Sequence, residues 1–190
     1  MYDHFFSDEV YSNKSFSESD LVKGDYEECS FENCNFTGCN LSAFKFMDCD
    51  FTGCDLSNCK LSKTSFQDCS FSNCKLIGLN FDQCESFGFS ISAKDSIFDH
   101  SGFYNVKLSK AKLLNCSFKN ADLSACDLSG SDLTEGNFEG AIFDHTNLEK
   151  ANLKRAKGYN IDPEQNKING AQFSLPEVTG LLAKYRLKIE

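Results

Sequence analysis

A five-residue period runs through most of this sequence. Every fifth residue from Phe31 to Phe81 is Phe or Leu, and a second run with the same property extends from Phe98 to Leu153. Two residues before each of them lies a second restricted position, mostly Cys in the first run and mostly small residues in the second. A period of five fits neither an α-helix nor a β-strand. It predicts a solenoid built from short repeated units.

The two restricted positions have the same parity, as inward-facing residues of an extended segment must. We therefore expect each unit to form one short side of a coil, with the large and the small residue pointing inward. The residue between them is often Asp or Asn and is expected to point outward. The remaining positions are rich in Ser, Thr, Gly and Asn, which suit the corners.

Three segments carry a family resemblance: residues 121–125 (ADLSA), 131–135 (SDLTE) and 151–155 (ANLKR). They resemble the signature of the pentapeptide-repeat family, and the pattern covers roughly residues 14–158. The resemblance implies an all-β fold, a right-handed quadrilateral β-helix with four pentapeptides per turn. Residues twenty apart should then stack, and large residues do recur at this distance. The expected ladders are Phe31, Phe51 and Phe71; Phe98, Phe118 and Phe138; Leu108, Leu128 and Leu148; and Leu113, Leu133 and Leu153.

The β-helix is expected to span residues 1–173, with a break in phase at about 82–97. Within the break, Phe87, Phe89 and Ile91 alternate with Gly and Ser, which predicts a strand. The break adds two residues to the repeat. One interpretation is a wider, flatter side of the coil, and the other is a bulge that offers a partner a distinctive feature.

Residues 174–190 are expected to form a C-terminal helix and tail. Ser174 followed by Glu177 predicts a capping box at the start of the helix. An apolar stripe on the helix should seal the open end of the rod. In the Qnr-like members of the family this end mediates a symmetric dimer, so the resemblance implies a homodimer. The residues expected at the dimer contact are Leu175, Val178, Leu181, Leu182, Tyr185, Leu187 and Ile189.

All eleven cysteines fall at the small inward position. Free Cys behaves as a small buried apolar residue, and Ala occupies the same position elsewhere in the chain. The pattern therefore favours a structural role. A disulfide framework and a zinc site are the alternatives, but the count is odd and the paired C-x₂-C spacing of zinc sites is missing.

The sequence contains no recognised catalytic motif, and its three histidines fall far apart in the repeat. We expect no enzyme activity, no cofactor and no metal. There is no long apolar stretch and no secretory signal, so we expect a cytoplasmic protein that does not contact membranes. The net charge of -9 disfavours direct binding to nucleic acid.

The charge is unevenly distributed. Residues 1–97 contain 16 acidic and 7 basic residues, whereas residues 98–190 contain 12 of each. The acidity is either a solubilising surface or an anionic surface for a DNA-binding protein. Qnr-like proteins mimic DNA and bind type II topoisomerases, that is, DNA gyrase or topoisomerase IV. The alternative is a scaffold for an unrelated partner.

If the chain mimics DNA, outward carboxylates of the middle coils should make the contact. The candidates are Asp48, Asp50, Asp55, Asp68, Asp82 and Glu85. The basic residues of the second half oppose this interpretation, because a DNA mimic should be most acidic near its dimer centre. These residues include Lys107, Lys110, Lys112 and Lys119.

Overall fold

The computed structural model describes residues 4–16 and 21–188. Its strands pair in parallel with those of the coils above and below, mostly at a separation of twenty residues. Isolated parallel bridges continue this pairing on the other sides of the coil. The coils stack into a right-handed quadrilateral β-helix of about eight turns, which confirms the predicted fold class.

The strands are short. In chain order they are β1 (Phe5–Ser7), β2 (Val10–Ser12), β3 (Asp25–Glu27), β4 (Ser30–Glu32), β5 (Lys45–Met47), β6 (Asp50–Thr52), β7 (Ser65–Gln67), β8 (Cys69–Ser72), β9 (Ile91–Lys94), β10 (Leu113–Leu114), β11 (Asn152–Leu153) and β12 (Gln172–Phe173). The 3₁₀ helices span Phe81–Gln83, Pro176–Leu181 and Ala183–Tyr185. One sheet has the order β1-β3-β5-β7 and is called side one. The sheet β10-β9-β8-β6-β4-β2 is called side two, and β11 pairs with β12.

The core consists of the predicted ladders. The rings of Phe31, Phe51 and Phe71 stack at centroid distances of 4.8 and 4.9 Å, with planes within 16° of parallel. The ladder from Phe98 to Phe138 stacks at 5.0 and 5.3 Å. Both leucine ladders are buried. Because like side chains nest along the axis, each coil is stabilised by its neighbours.

Ten of the eleven cysteines are buried, Cys84 is half-buried, and all eleven are free thiols. The Cys54 Sγ donates to the Phe31 carbonyl at 3.2 Å and accepts a hydrogen bond from the Cys34 amide at 3.4 Å. On other sides of the coil the amide instead donates to a carbonyl of its own turn, as Cys39 does to Phe36 at 2.8 Å and Ala151 to Leu148 at 3.0 Å. The backbone amide of a small inward residue therefore needs a side-chain acceptor from the coil above only where no carbonyl of its own turn accepts its hydrogen bond.

The break in phase forms a bulge. The Glu85 amide still donates to the Thr64 carbonyl at 2.9 Å in the regular pattern, but Ile91 already pairs with Cys69, twenty-two residues before it. Residues 86–89 therefore occupy the space of two residues in the coil below. This geometry corresponds to the bulge interpretation and not to a flatter side.

The predicted strand through the break is wrong in its first part, since β9 begins only at Ile91. Phe87 turns outward and is 82% exposed. Gly88 has a φ of +70°, and a Cβ there would lie 3.1 Å from the Gln67 side chain. The four residues 86–89 span the length of only two residues of the coil below, so they cannot be extended. The alternation of Phe87 and Phe89 therefore does not produce a strand.

The C-terminal segment also differs from the prediction. It forms two 3₁₀ helices and not one α-helix, and neither has a side-chain cap. The predicted capping box is wrong because the Ser174 Oγ accepts a hydrogen bond from the Arg155 amide at 2.8 Å. This bond ties Ser174 to the coil below. Leu181 packs against the core, and the Gly180 carbonyl accepts a hydrogen bond from the Ile161 amide at 3.2 Å, so the segment covers part of the open end.

Candidate partner-binding surfaces

One corner of the rod carries a column of carboxylates. Asp8, Glu28, Asp48 and Asp68 directly follow the paired strands β1, β3, β5 and β7, so they lie one above another between side one and side two. All four are exposed and have φ between 51° and 57°. We call them the acidic column. Coils in such a stack lie about 4.8 Å apart, which sets the spacing of the charges.

The acidic column has no cationic partner among the residues that the structure describes. No Lys or Arg ammonium or guanidinium group there lies within 4.0 Å of its four carboxylates. Acidic residues of the same half that do have partners lie elsewhere. Asp25, for example, pairs with Lys45 at 3.0 Å. The column is therefore a line of unneutralised negative charge along the first half of the rod.

The six predicted contact residues do not form one surface. Asp48 and Asp68 belong to the acidic column, and Asp50 lies beside it at the start of β6. The carboxylate of Asp50 accepts a hydrogen bond from Ser70. These three residues share the corner between side one and side two. Their role as a contact surface stays a prediction.

The other three predicted residues lie away from this corner. Asp55 pairs with Lys75 at 3.7 Å. Burial opposes the charge of Asp55, but hydrogen bonds from Ser57 and the Lys75 ammonium hold the pKa of Asp55 below its ordinary value. Asp82 lies in the first 3₁₀ helix, and the Glu85 carboxylate accepts a hydrogen bond from the Phe87 amide at 3.2 Å. Asp55 and Glu85 thus already serve the fold.

Sequence reasoning missed Asp8 and Glu28. The signal was present, because an acidic residue recurs at intervals of twenty from Asp8 to Asp68. Above the bulge the same corner changes sign, since Lys110 and Lys150 take the equivalent positions, with φ of 62° and 60°. The acidic column therefore ends at the bulge.

The C-terminal tail presents apolar side chains to solvent. Leu175 is 87% exposed, and Leu182, Tyr185 and Leu187 are also exposed. Val178 and Leu181 are half-buried, and Ile189 lies outside the described residues. The Lys184 ammonium holds the tail to the last coil by contacts of 2.8 Å with the carboxylates of Asp162 and Glu164.

The hydrogen bond from Lys184 lowers the pKa of the Asp162 carboxyl, so this contact stays charged further into the acid range than an unpaired carboxyl would. The Tyr185 hydroxyl adds a hydrogen bond to Glu164 at 3.2 Å. The tail is therefore fixed on its polar face and open on its apolar face. A groove of about 360 Å³ on the tail is lined by Thr179, Leu182, Ala183, Arg186 and Leu187.

Metal binding, membrane spanning and thiol reactivity are further properties of the described residues that bear on function. Within 4–16 and 21–188, no group of three or more His, Cys, Asp or Glu side chains has the arrangement of a metal site. No helix in that part of the chain is long and apolar enough to span a membrane. Burial raises the pKa of the Cys84, Cys116 and Cys126 thiols to about 12, so they stay protonated at neutral pH.

The parallel four-sided coil and the five-residue lattice of its core define a solenoid made of pentapeptides. The model of the family described as pentapeptide repeats matches residues 15–53, 49–85, 101–140 and 121–157. The chain belongs to the pentapeptide-repeat family. No curated protein sequence matches it significantly.

Solved structures share the fold. Two trypsin-treated forms of QnrB1, a plasmid-mediated fluoroquinolone resistance protein, match with TM-scores of 0.64 and 0.54. Their sequence identities to this chain are 18% and 19%. The first match covers 95% of this chain and 98% of QnrB1, and the second covers 98% and 100%. At this identity the likeness concerns the fold alone.

Proposed function

We propose that the chain is a non-catalytic protein-binding rod whose partner is a type II topoisomerase, DNA gyrase or topoisomerase IV. The observation that carries this proposal is the acidic column of Asp8, Glu28, Asp48 and Asp68, which has no cationic partner in the described part of the rod. The fold likeness to a fluoroquinolone resistance protein agrees with it.

The geometry of the column suits a surface that normally grips DNA. One strand of B-form DNA carries a phosphate about every 3.4 Å along the axis. The acidic column places a carboxylate about every 4.8 Å along a straight edge. Glu27 and Asp50 beside the column add to the negative potential of this edge. A positively charged DNA-binding groove would gain by exchanging its counterions for this edge.

The test is a gyrase supercoiling assay with and without a quinolone, over a titration of the purified protein. We expect the wild-type chain to change supercoiling or to protect the enzyme from the drug. Asp48→Asn combined with Asp68→Asn should weaken the effect by about tenfold, as expected for the loss of charges at a contact. Asn suits the positive φ at both positions, so the fold should be retained.

A matched control is Asp122→Asn combined with Glu149→Gln, which changes the net charge equally but away from the column, and the asparagine oxygen keeps the acceptor for the Ser124 amide. The control should behave as the wild type. Absence of inhibition, protection and direct gyrase binding by the wild-type chain would refute the topoisomerase proposal. Equal loss in both double variants would refute the acidic column as the contact.

A scaffold with another protein partner is the second candidate. The change of sign at Lys110 and Lys150 favours it, because a continuous DNA mimic should stay acidic beyond the bulge. This candidate predicts no effect on gyrase with or without drug. The supercoiling titration therefore separates the two candidates.

We also propose that two copies join through their C-terminal tails. The exposed apolar side chains of Leu175, Leu182 and Leu187 support a contact there, because such side chains gain by leaving water. Sedimentation velocity should give a dimer for the wild type and a monomer for Leu175→Asp combined with Leu187→Asp. Ile142→Asp, at an apolar residue 53% exposed on the rod, is the control and should stay dimeric. A monomeric wild type at high concentration would refute this proposal.

A further inference from the structure

A groove lies beside the bulge. Its volume is about 850 Å³, and one wall is the segment from Ser86 to Ser92, including the exposed Phe87. The other wall is the stretch from Lys107 to Lys112 in the coil above, and Asp68 is at one end. The groove exists because the bulge separates two coils that elsewhere lie in direct contact.

The backbone ladder is interrupted along this groove. The coil above the groove, which contains Val106 and Lys107, bonds regularly to the coil above itself, because the Asp127 amide donates to the Val106 carbonyl at 2.9 Å. In the part of the chain that the structure describes, residues 86–89 form no backbone hydrogen bond with that coil, and neither the amide nor the carbonyl of Lys107 has a backbone partner. Lys107 forms a parallel β-bridge with Asp127 of the next coil up. Along such a strand, successive residues direct their backbone amide and carbonyl groups alternately toward the two neighbouring strands, so the amide and carbonyl of Lys107 point down toward the groove. The groove therefore has free main-chain groups on one wall.

The groove is also basic. The exposed side chains of Lys107, Lys110 and Lys112 line it, against the single carboxylate of Asp68. No carboxylate of residues 4–16 or 21–188 lies within 4.0 Å of these three ammonium groups. Lys119, outside the groove, does pair, with Glu139 at 3.1 Å. Three lysines without a salt bridge therefore line the interrupted ladder.

We propose that this lysine groove binds an extended acidic segment of a partner protein. The segment pairs its main chain with Lys107, as an added strand does at an open sheet edge. Its carboxylates meet Lys107, Lys110 and Lys112, and one apolar side chain packs on Phe87. An isolated anion would leave Phe87 uncovered and the Lys107 carbonyl unpaired, so the full set of groups favours a peptide.

This inference is independent of the proposed topoisomerase contact, because it concerns a basic surface above the bulge and not the acidic column. It is tested by fluorescence anisotropy with a labelled short peptide in which Glu alternates with Leu. A peptide with Gln in place of Glu and a labelled single-stranded oligonucleotide are the comparison probes. Circular dichroism checks that every variant is folded.

The Glu peptide should bind more tightly than the Gln peptide and the oligonucleotide, and its affinity should fall as salt is added. Combined Lys107→Gln, Lys110→Gln and Lys112→Gln should weaken binding by at least about tenfold. Phe87→Ala should weaken it by about fivefold through the lost apolar contact. Combined Lys150→Gln, Lys157→Gln and Lys167→Gln, which removes equal charge from exposed sites outside the groove, should have little effect.

Three results would overturn the inference. The Gln peptide binding as tightly as the Glu peptide would show that the lysines do not select the ligand. Equal losses of affinity in the two triple variants would show that binding depends only on the net charge of the protein. Tighter binding of the oligonucleotide than of the Glu peptide would make the groove a nucleic-acid site.

Discussion

The rod consists of two halves with the same coil and different chemistry. Before the bulge, sides one and two are filled by aromatic rings, nine of the eleven cysteines occur, and the surface is acidic. Beyond it, leucines replace the rings on these sides, small residues such as Ala151 replace most cysteines, and the charges balance. The fold therefore depends on the size and direction of two residues in five, and it leaves the chemistry of the core and the surface free to vary.

The largest difference between the halves is expected at high pH. Burial raises the pKa of Cys49 and Cys59 to about 12, whereas thiols of the unfolded chain titrate near about 8.5. Above that pH the unfolded state binds fewer protons than the folded state, so stability falls as the pH rises toward the folded pKa. The slope approaches about 1.4 kcal/mol per pH unit for each such thiol.

As the pH rises, the first half should therefore lose stability and unfold locally before the second half, which contains only the two cysteines Cys116 and Cys126. Urea unfolding with iodoacetamide labelling, read for each cysteine by mass spectrometry between pH 7 and pH 10, checks this order. Simultaneous labelling of both halves at every pH would contradict it.

Removing one ring from the first half should cost more than removing one leucine from the second. Phe51 is fully buried between Phe31 and Phe71, so Phe51→Ala should lower the free energy of unfolding by about 4 kcal/mol. Leu128→Ala should cost about 3 kcal/mol. Urea denaturation measures both. Phe51→Leu should recover most of the loss, and a cost for Leu128→Ala above that of Phe51→Ala would argue against the aromatic ladder as the stronger core.

Cys54 of the first half and Cys126 of the second should respond differently to alanine. Cys54→Ala leaves the buried Cys34 amide without its acceptor, at a cost of about 2 kcal/mol. Cys126→Ala should cost well under about 1 kcal/mol, because the Val106 amide one coil below donates to the Phe103 carbonyl of its own turn.

A serine variant provides the control for this comparison. Ser96 occupies the same column of the core and accepts a hydrogen bond from the Cys74 amide at 3.0 Å. Cys54→Ser should therefore lose less stability than Cys54→Ala in the same urea titration. Equal losses for Cys54→Ala and Cys126→Ala would contradict the role of the side-chain acceptor.

The smallest effect concerns the acidic column. Asp48→Asn should stabilise the rod by about 0.5 kcal/mol at low salt, because stacked like charges repel and Asn tolerates the φ of +51° at this position. The gain should disappear at about 1 M salt, where charges a coil apart are screened. Thermal unfolding at the two salt concentrations measures this difference. A gain that persists at high salt would show that repulsion is not its cause.

The sequence alone determined the fold and most of the core. The positions of Phe51 and Cys54 could be read directly, because a lattice that repeats every five residues leaves no other arrangement in which both are buried. The stacking of Phe71 on Phe51 was implied by the resemblance to the pentapeptide-repeat family, and the recurrence of like residues at twenty agreed with it. These features depend on the spacing of residues along the chain, which can be read from one sequence.

Tertiary structure decided the rest. Whether the two extra residues near Phe87 flattened or bulged depended on the space left by the coil below, and Ser174 bonded to Arg155 where the sequence predicted a helix cap. The grouping of Asp48 with Asp8, and the separation of Asp48 from Asp55, required knowing at which corner of the four-sided coil each residue lies. Surface neighbours in a solenoid come from different coils, so a partner-binding surface exists only once the coils are stacked.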